Sequence, residues 1–169
     1  MAENILTKVR IKSIAFADPI TSAAGLATAT WAPQPLTLRD DELSIVEDDP
    51  DEKEVFSNEN DTAEDFDITG KGLSAKGSFI KSTRAELVDL VGGATAVTGD
   101  DIKFHRSARK LLLHKAIKFT LRDDSEIIVP NAKGYVNTSI GMGVDGVQKN
   151  PFKFRCLQAS PTWDCDLVW

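Results

Sequence analysis

Gly141-Met142-Gly143-Val144-Asp145-Gly146 has the GxGxxG spacing that lets a backbone approach a pyrophosphate, provided a strand precedes it and a helix starts at the glycines. An extended segment does precede it, but Pro151 and the alternating Phe152, Phe154 and Cys156 follow. No helix N-terminus is available to receive a phosphate, so these glycines read as a hairpin tip. Asp65-Phe66-Asp67-Ile68-Thr69-Gly70 opens like a calcium loop, yet the twelfth position is Lys76, where the bidentate Glu belongs. His105 and His114 are the only histidines, GxSxG is absent, and neither Cys156 nor Cys165 has a base beside it. The two cysteines form no CxxC and have no histidine near them in sequence, which argues against zinc. A disulfide between them is left open, and Cys156 is expected as a small core hydrophobe. The expectation is a protein that is not an enzyme and uses no catalytic residue, cofactor or metal.

Charge is distributed more tellingly than these motifs. The chain has a net charge of −6 over 169 residues, but residues 40–67 hold fourteen acids against Lys53 alone, a net of −13, leaving +7 on the remainder. Carboxylates crowded this closely repel one another, so the segment is expected as an extended arm, either a hairpin or a long loop. It is either a solvated loop or an arm docked on a basic surface of a neighbouring copy. The arm residues proposed for that contact are Asp48, Asp49, Asp51, Glu52 and Glu54. Their expected counterparts, Arg109, Lys110, Lys115, Lys118 and Arg122, come from a basic stretch that also holds Lys103 and Arg106. Nucleic acid is the weaker partner for that stretch, because the isoelectric point is about 4.9 and the arm would repel phosphates.

The elements that must position these groups read mainly as strands. Composition, with 41% apolar and 27% charged residues, suits one folded domain spanning 1–169. Ile5, Thr7, Val9 and Ile11 alternate with Lys8, Arg10 and Lys12, the period of a half-buried strand. The small-residue stretch 21–30 and Trp31-Ala32-Pro33-Gln34-Pro35 read as a connection. Leu36, Leu38, Leu43 and Ile45 outline a second extended region leading into the arm, whose tip is placed near Pro50. Residues 66–80 are extended, with Gly70, Gly72 and Gly77 marking bulges or close approaches. Thr83-Arg84-Ala85-Glu86 is a capping box, Leu87, Val88, Leu90 and Val91 follow with helical spacing, and Gly92-Gly93 is a stop, predicting one short helix. Residues 111–121 form a long strand that turns at Asp123-Asp124-Ser125 into Glu126-Ile127-Ile128-Val129-Pro130; residues 135–140 and 152–157 add two strands, and the tail 163–169 another. The expected class is mainly β: an antiparallel β-sandwich or barrel flanked by one short α-helix, with a long acidic arm.

No apolar run approaches the roughly 18 residues of a membrane span, and the first residues lack the basic-then-apolar pattern of a signal peptide, so no membrane association and a cytoplasmic site of synthesis are expected.

Ser78-Phe79-Ile80 running into Ser82-Thr83-Arg84-Ala85-Glu86-Leu87-Val88-Asp89-Leu90-Val91-Gly92-Gly93 resembles a strand entering a short helix in the tail tube (major tail) proteins of long-tailed bacteriophages, which are related to type VI secretion tube proteins. Ile117-Lys118-Phe119-Thr120-Leu121, Ile127-Ile128-Val129-Pro130-Asn131-Ala132 and Phe152-Lys153-Phe154-Arg155-Cys156-Leu157 are similar to that family's later strands. The resemblance implies a structural subunit of the virion that self-assembles in the host cytoplasm. Six copies would form a ring, and rings would stack into a tube through which DNA passes without specific binding. Its implied partners are copies of itself within and between rings and other tail proteins, namely tape measure, tail terminator and distal tail. Residues 40–67 would correspond to the family's long loop that contacts the adjacent ring. The alternative is a monomeric β-sandwich that binds carbohydrate, with Trp31, Trp163 or Trp169 as stacking platforms.

Overall fold

Alternation of apolar and polar side chains puts one face of each strand against a common interior. In the computed structural model, which describes residues 10–39, 41, 43–59 and 62–169, the chain is mainly β and its sheets are antiparallel. The elements are β1 (Ile11–Ala17), α1 (Ala23–Thr28), β2 (Ala32–Pro33), β3 (Leu36–Thr37), β4 (Ser44–Glu47), β5 (Asp51–Val55), β6 (Asp65–Thr69), β7 (Leu73–Ile80), α2 (Arg84–Val91), β8 (Gly93–Thr98), β9 (Asp101–Arg106), β10 (Leu113–Leu121), β11 (Glu126–Val136), β12 (Ser139–Ile140) and β13 (Gln148–Cys156). Of the opening strand expected from Ile5 to Ile11, Ile5, Thr7 and Val9 lie outside the described residues.

The main sheet runs β2-β1-β10-β11-β13-β7-β3, with β4 also on β7 and β12 on β13. Its first and last members are consecutive in the chain, and this closes the sheet. Ala32 and Pro33 pair with Phe16 and Ala15, and the Gln34 amide donates to the Ile14 carbonyl at 2.9 Å. Leu36 and Thr37 then pair with Ile80 and Phe79, and the Leu38 amide donates to the Ser78 carbonyl at 3.0 Å. One stretch of chain therefore bonds to β1 with its first half and to β7 with its second, and a barrel results. Inside, Phe79 stacks on Phe152 with ring centroids 4.5 Å apart, and Phe16 meets Phe154 and Phe79 edge-on at 5.5 and 6.1 Å. Gly77 makes room for this packing, since a Cβ there would lie 2.7 Å from Leu43 Cδ1 and 2.9 Å from Phe152 Cζ.

The helix α2 begins with the expected capping box: the Glu86 amide donates to Thr83 Oγ1 at 3.3 Å, and the Thr83 amide donates to Glu86 Oε2 at 2.7 Å. It buries Leu87, Leu90 and Val91 and stops at Gly92, with φ of 85°. A second helix, α1, stands where a plain connection was expected. Ser22 caps it by accepting from the Gly25 amide at 3.3 Å, and Leu26 packs with Ile20, Trp31 and Trp163 over Ala17 and Ala116. Those two alanines are cross-strand partners, next along β1 and β10 from Phe16 and Ile117 in the main core, so α1 covers the sheet's outer face.

Three further expectations are corrected. Pro50 stands at the base of the arm, just before β5; the tip lies beyond Val55, where the Glu64 amide returns to the Val55 carbonyl at 2.9 Å. Pro130 does not end a strand, because β11 continues to Val136 through a bulge in which Pro130 and Asn131 face the single Ala116, and a missing amide costs no ladder bond there. The tail is no strand: Val168 alone exchanges two 2.8 Å bonds with Ile128, on the edge of β11 that β13 leaves uncovered.

Removing one ring of the cluster opens a void that the barrel walls cannot close. Phe154→Ala should cost about 3–5 kcal/mol in urea unfolding, whereas Thr83→Ala should cost about 1 kcal/mol. Equal small losses would show that the rings do not hold the barrel together.

Candidate functional site

Strand directions sort the loops into two sets. Because β7 and β11 are both antiparallel to β13, they start at one end of the barrel, where β1 also starts and β10 finishes. The hairpin β5–β6 leaves from that end, between β4 and β7. From the opposite end come α2, the hairpin β8–β9 and the tip that joins β12 to β13.

The hairpin β5–β6 stands off the barrel, whereas β8–β9 lies against α2 with Phe104 packed on the core. Every residue of β5 and β6 is exposed, and in β8 and β9 only Phe104 is partly covered. The first carries Asp51, Glu52, Glu54, Asp65 and Asp67 together with the exposed apolar Val55, Phe56, Phe66 and Ile68. Cross-strand pairing sets Glu52 opposite Ile68 and Glu54 opposite Phe66, so acidic and apolar groups share a face. Asp48 and Asp49 lie exposed just before β5. Asp51 pairs with Lys71 at 2.7 Å, and its hydrogen bond and charge, helped by Asp48 and Asp49, hold the Lys71 ammonium above its usual range. The second hairpin sets Val97 opposite Ile102, both exposed, and carries Lys103 and His105 on its other face.

The basic residues expected to receive the arm are not gathered together. Arg109 and Lys110 follow β9 at the α2 end, Lys115 and Lys118 lie along β10, and Arg122 is at the arm end. Lys110 donates to the Val136 carbonyl at 2.8 Å and to Asn137 Oδ1 and lies 5.3 Å from the Tyr135 ring; burial, then Arg106, pushes it below the usual lysine range. Lys115 pairs with Asp18 at 3.0 Å. Lys118 pairs with Glu126 at 3.1 Å and lies 5.0 Å from the Trp31 ring. Among the described residues only Arg109 and Arg122 of the five have no such partner within the chain. Arg122 lines a groove of about 610 Å³ with Arg10, Lys12 and Arg39, a basic surface that did not stand out in the sequence because its members come from three distant segments. In that groove Asp41 is bound by Lys149 at 2.9 Å, and the Ser78 hydroxyl and then Lys149 hold its carboxyl below the usual range.

The chemical motifs resolve into structure. Residues 141–146 turn a hairpin, and the segment that opened like a calcium loop is the strand β6. Among the described residues no group of three or more His, Cys, Asp or Glu side chains could hold a metal ion. His114 Nε2 lies 2.6 Å from Asn131 Oδ1, which as an acceptor calls for the proton on that nitrogen, while His105 is exposed on β9. Trp31 and Trp163 pack under α1, leaving Trp169 as the tryptophan that stays 70% exposed. Among the described residues no helix is long and apolar enough to cross a membrane.

Both cysteines are free, Cys156 inside the barrel core. Burial, and secondarily the Asp166 carboxylate, pushes its thiol up to about 11 from an ordinary 9.0. A thiol reagent at about pH 8 should label Cys165 first. Because the folded value lies above the unfolded one, the contribution of Cys156 to stability should fall as pH rises from 9.0 to about 11 and level off beyond. Equal labelling rates in the folded protein would show that the end of β13 is open to solvent.

The chain matches no family model, and no curated protein matches it.

Proposed function

We propose that this chain is a structural, non-catalytic subunit that self-assembles, as the tail tube proteins of long-tailed bacteriophages do, into stacked hexameric rings around a channel for DNA. The observation that carries this reading is the pair of hairpins β5–β6 and β8–β9. A two-stranded hairpin alone in water is marginal at best. Here β5–β6 leaves one end of the barrel with Val55, Phe66 and Ile68 in solvent, and β8–β9, braced on α2 at the other end, leaves Val97 and Ile102 in solvent. Surfaces of this kind are stable once a partner covers them.

Charge supports copies of the same chain as that partner. The acidic hairpin leaves one end, while Arg106 and Arg109 sit at the other beside the Lys103–Asp101 pair, so stacking unlike ends brings those two arginines towards the carboxylates. On this reading the protein resides in the virion, and its further contacts are with other tail proteins.

Purified protein should form rings or tubes in electron microscopy at high concentration; a sedimentation profile that stays monomeric at every concentration and salt would overturn the reading. Replacing Asp48, Asp49, Asp51 and Glu52 with Lys should prevent stacking. Raising salt should weaken assembly of the unaltered chain, because exposed charge pairs are screened.

A further inference from the structure

The tip between β12 and β13 and a cavity at the opposite end of the barrel have matching chemistry. At the tip, a Cβ on Gly146 would lie 2.3 Å from the Gly141 carbonyl oxygen, so the two backbones touch where only glycine fits. The turn is closed by the Gly146 amide donating to the Gly143 carbonyl at 2.9 Å and the Gly141 amide donating to the Val147 carbonyl at 3.2 Å. With no room between the strands, the side chains stand outward. Met142 is 90% exposed and Val144 fully so, flanked by exposed Ile140 and Val147, and Asp145 is the single charge of the segment.

The cavity, about 430 Å³, opens where the acidic hairpin leaves the barrel. Ile45, Leu73, Leu121, Ile127 and Leu167 line it, together with Trp169. Ser44, also in the lining, has a buried hydroxyl oxygen with no hydrogen-bond partner among the described residues, a group that the backbone of an inserted turn would satisfy.

We infer that the 141–147 tip of one copy seats in this cavity of the next, so that the apolar tip is the knob and the barrel mouth the socket of a head-to-tail contact. The occupant is a second copy because charge orients it. The tip shares its end of the barrel with Arg106, Arg109 and the Lys103–Asp101 ion pair, and the cavity shares its end with the carboxylates of β5–β6, which outnumber the bases of the neighbouring Arg10–Arg122 groove. Tip into mouth therefore brings Arg106 and Arg109 towards the acidic hairpin, whereas mouth to mouth would bring one acidic hairpin against another. Each joined copy still offers a free tip at one side and a free mouth at the other, so the contact repeats.

This inference rests on the self-assembly reading, and the test separates the two. Met142→Asp with Val144→Asp spoils the tip, at positions too exposed to affect folding; Leu167→Arg puts a charge in the mouth. Each variant alone should need more than about tenfold higher concentration to stack, since the charge would have to be buried in an apolar site. Mixed in equal amounts, the two variants should form a discrete two-layer species and stop, because one keeps a sound mouth and the other a sound tip. Thermal melting checks each fold, and Trp169→Asp at the mouth replaces Leu167→Arg if that variant is unfolded. Failure of the unaltered chain to assemble would sink the self-assembly reading. Unaltered stacking by the variants, or folded variants that do not pair on mixing, would overturn the tip-in-mouth contact alone.

Discussion

Phe79, Phe152 and Phe154 lie on the paired strands β7 and β13, and Phe16 of β1 meets them where residues 32–38 bond to β1 and β7 in turn. Ring packing and strand closure are thus one constraint seen twice. Opening the seam at Gln34 would part Phe16 from Phe79, and shrinking a ring would leave the seam with nothing to close around. The alternating positions of β10 and β11 fill the same interior, with Ile117 and Val129 almost completely buried. Every hairpin described above is held at a particular end of the barrel by this interior.

Much of that interior was legible in the sequence, because burial on one face of a strand imposes period two on Leu113, Ile117, Phe119 and Leu121. The helix α2 was legible for a local reason: Thr83, Glu86, Gly92 and Gly93 each satisfy or release a particular backbone group within a few residues. What could not be read depends on distant parts of the chain. Lys115 breaks the apolar alternation because it lies beside the bulge that Pro130 and Asn131 introduce from the facing strand. The helix α1 hides among small residues because its cap, Ser22, is followed by no acid and its apolar contacts are with Trp163 near the other end of the sequence. The hairpin β8–β9 signals itself only by Gly99 and Asp100 between two short runs, and its basic strand was merged with β10 into one positive stretch.

Function followed the same division. The acidic character of the arm is a matter of composition and appears in the sequence directly. Which cations remain without ion-pair partners is a matter of geometry: Lys115 and Lys118 are occupied by Asp18 and Glu126, and the basic groove of Arg10, Arg39 and Arg122 exists only once the barrel has closed. The glycines at 141, 143 and 146 illustrate the point most directly. Spacing alone suggested a nucleotide, but the absence of a following helix decided the matter, and the same absence of side chains lets two strands meet in a narrow apolar turn.

The two ends of the barrel differ in charge, in shape and in apolar content. An object built by joining unlike ends has a front and a back, and each arrival recreates the surface that the previous one presented. Such growth contains no instruction to stop. If copies of this chain stack in that manner, the length of the result is information that the subunit does not carry, and another molecule has to measure it.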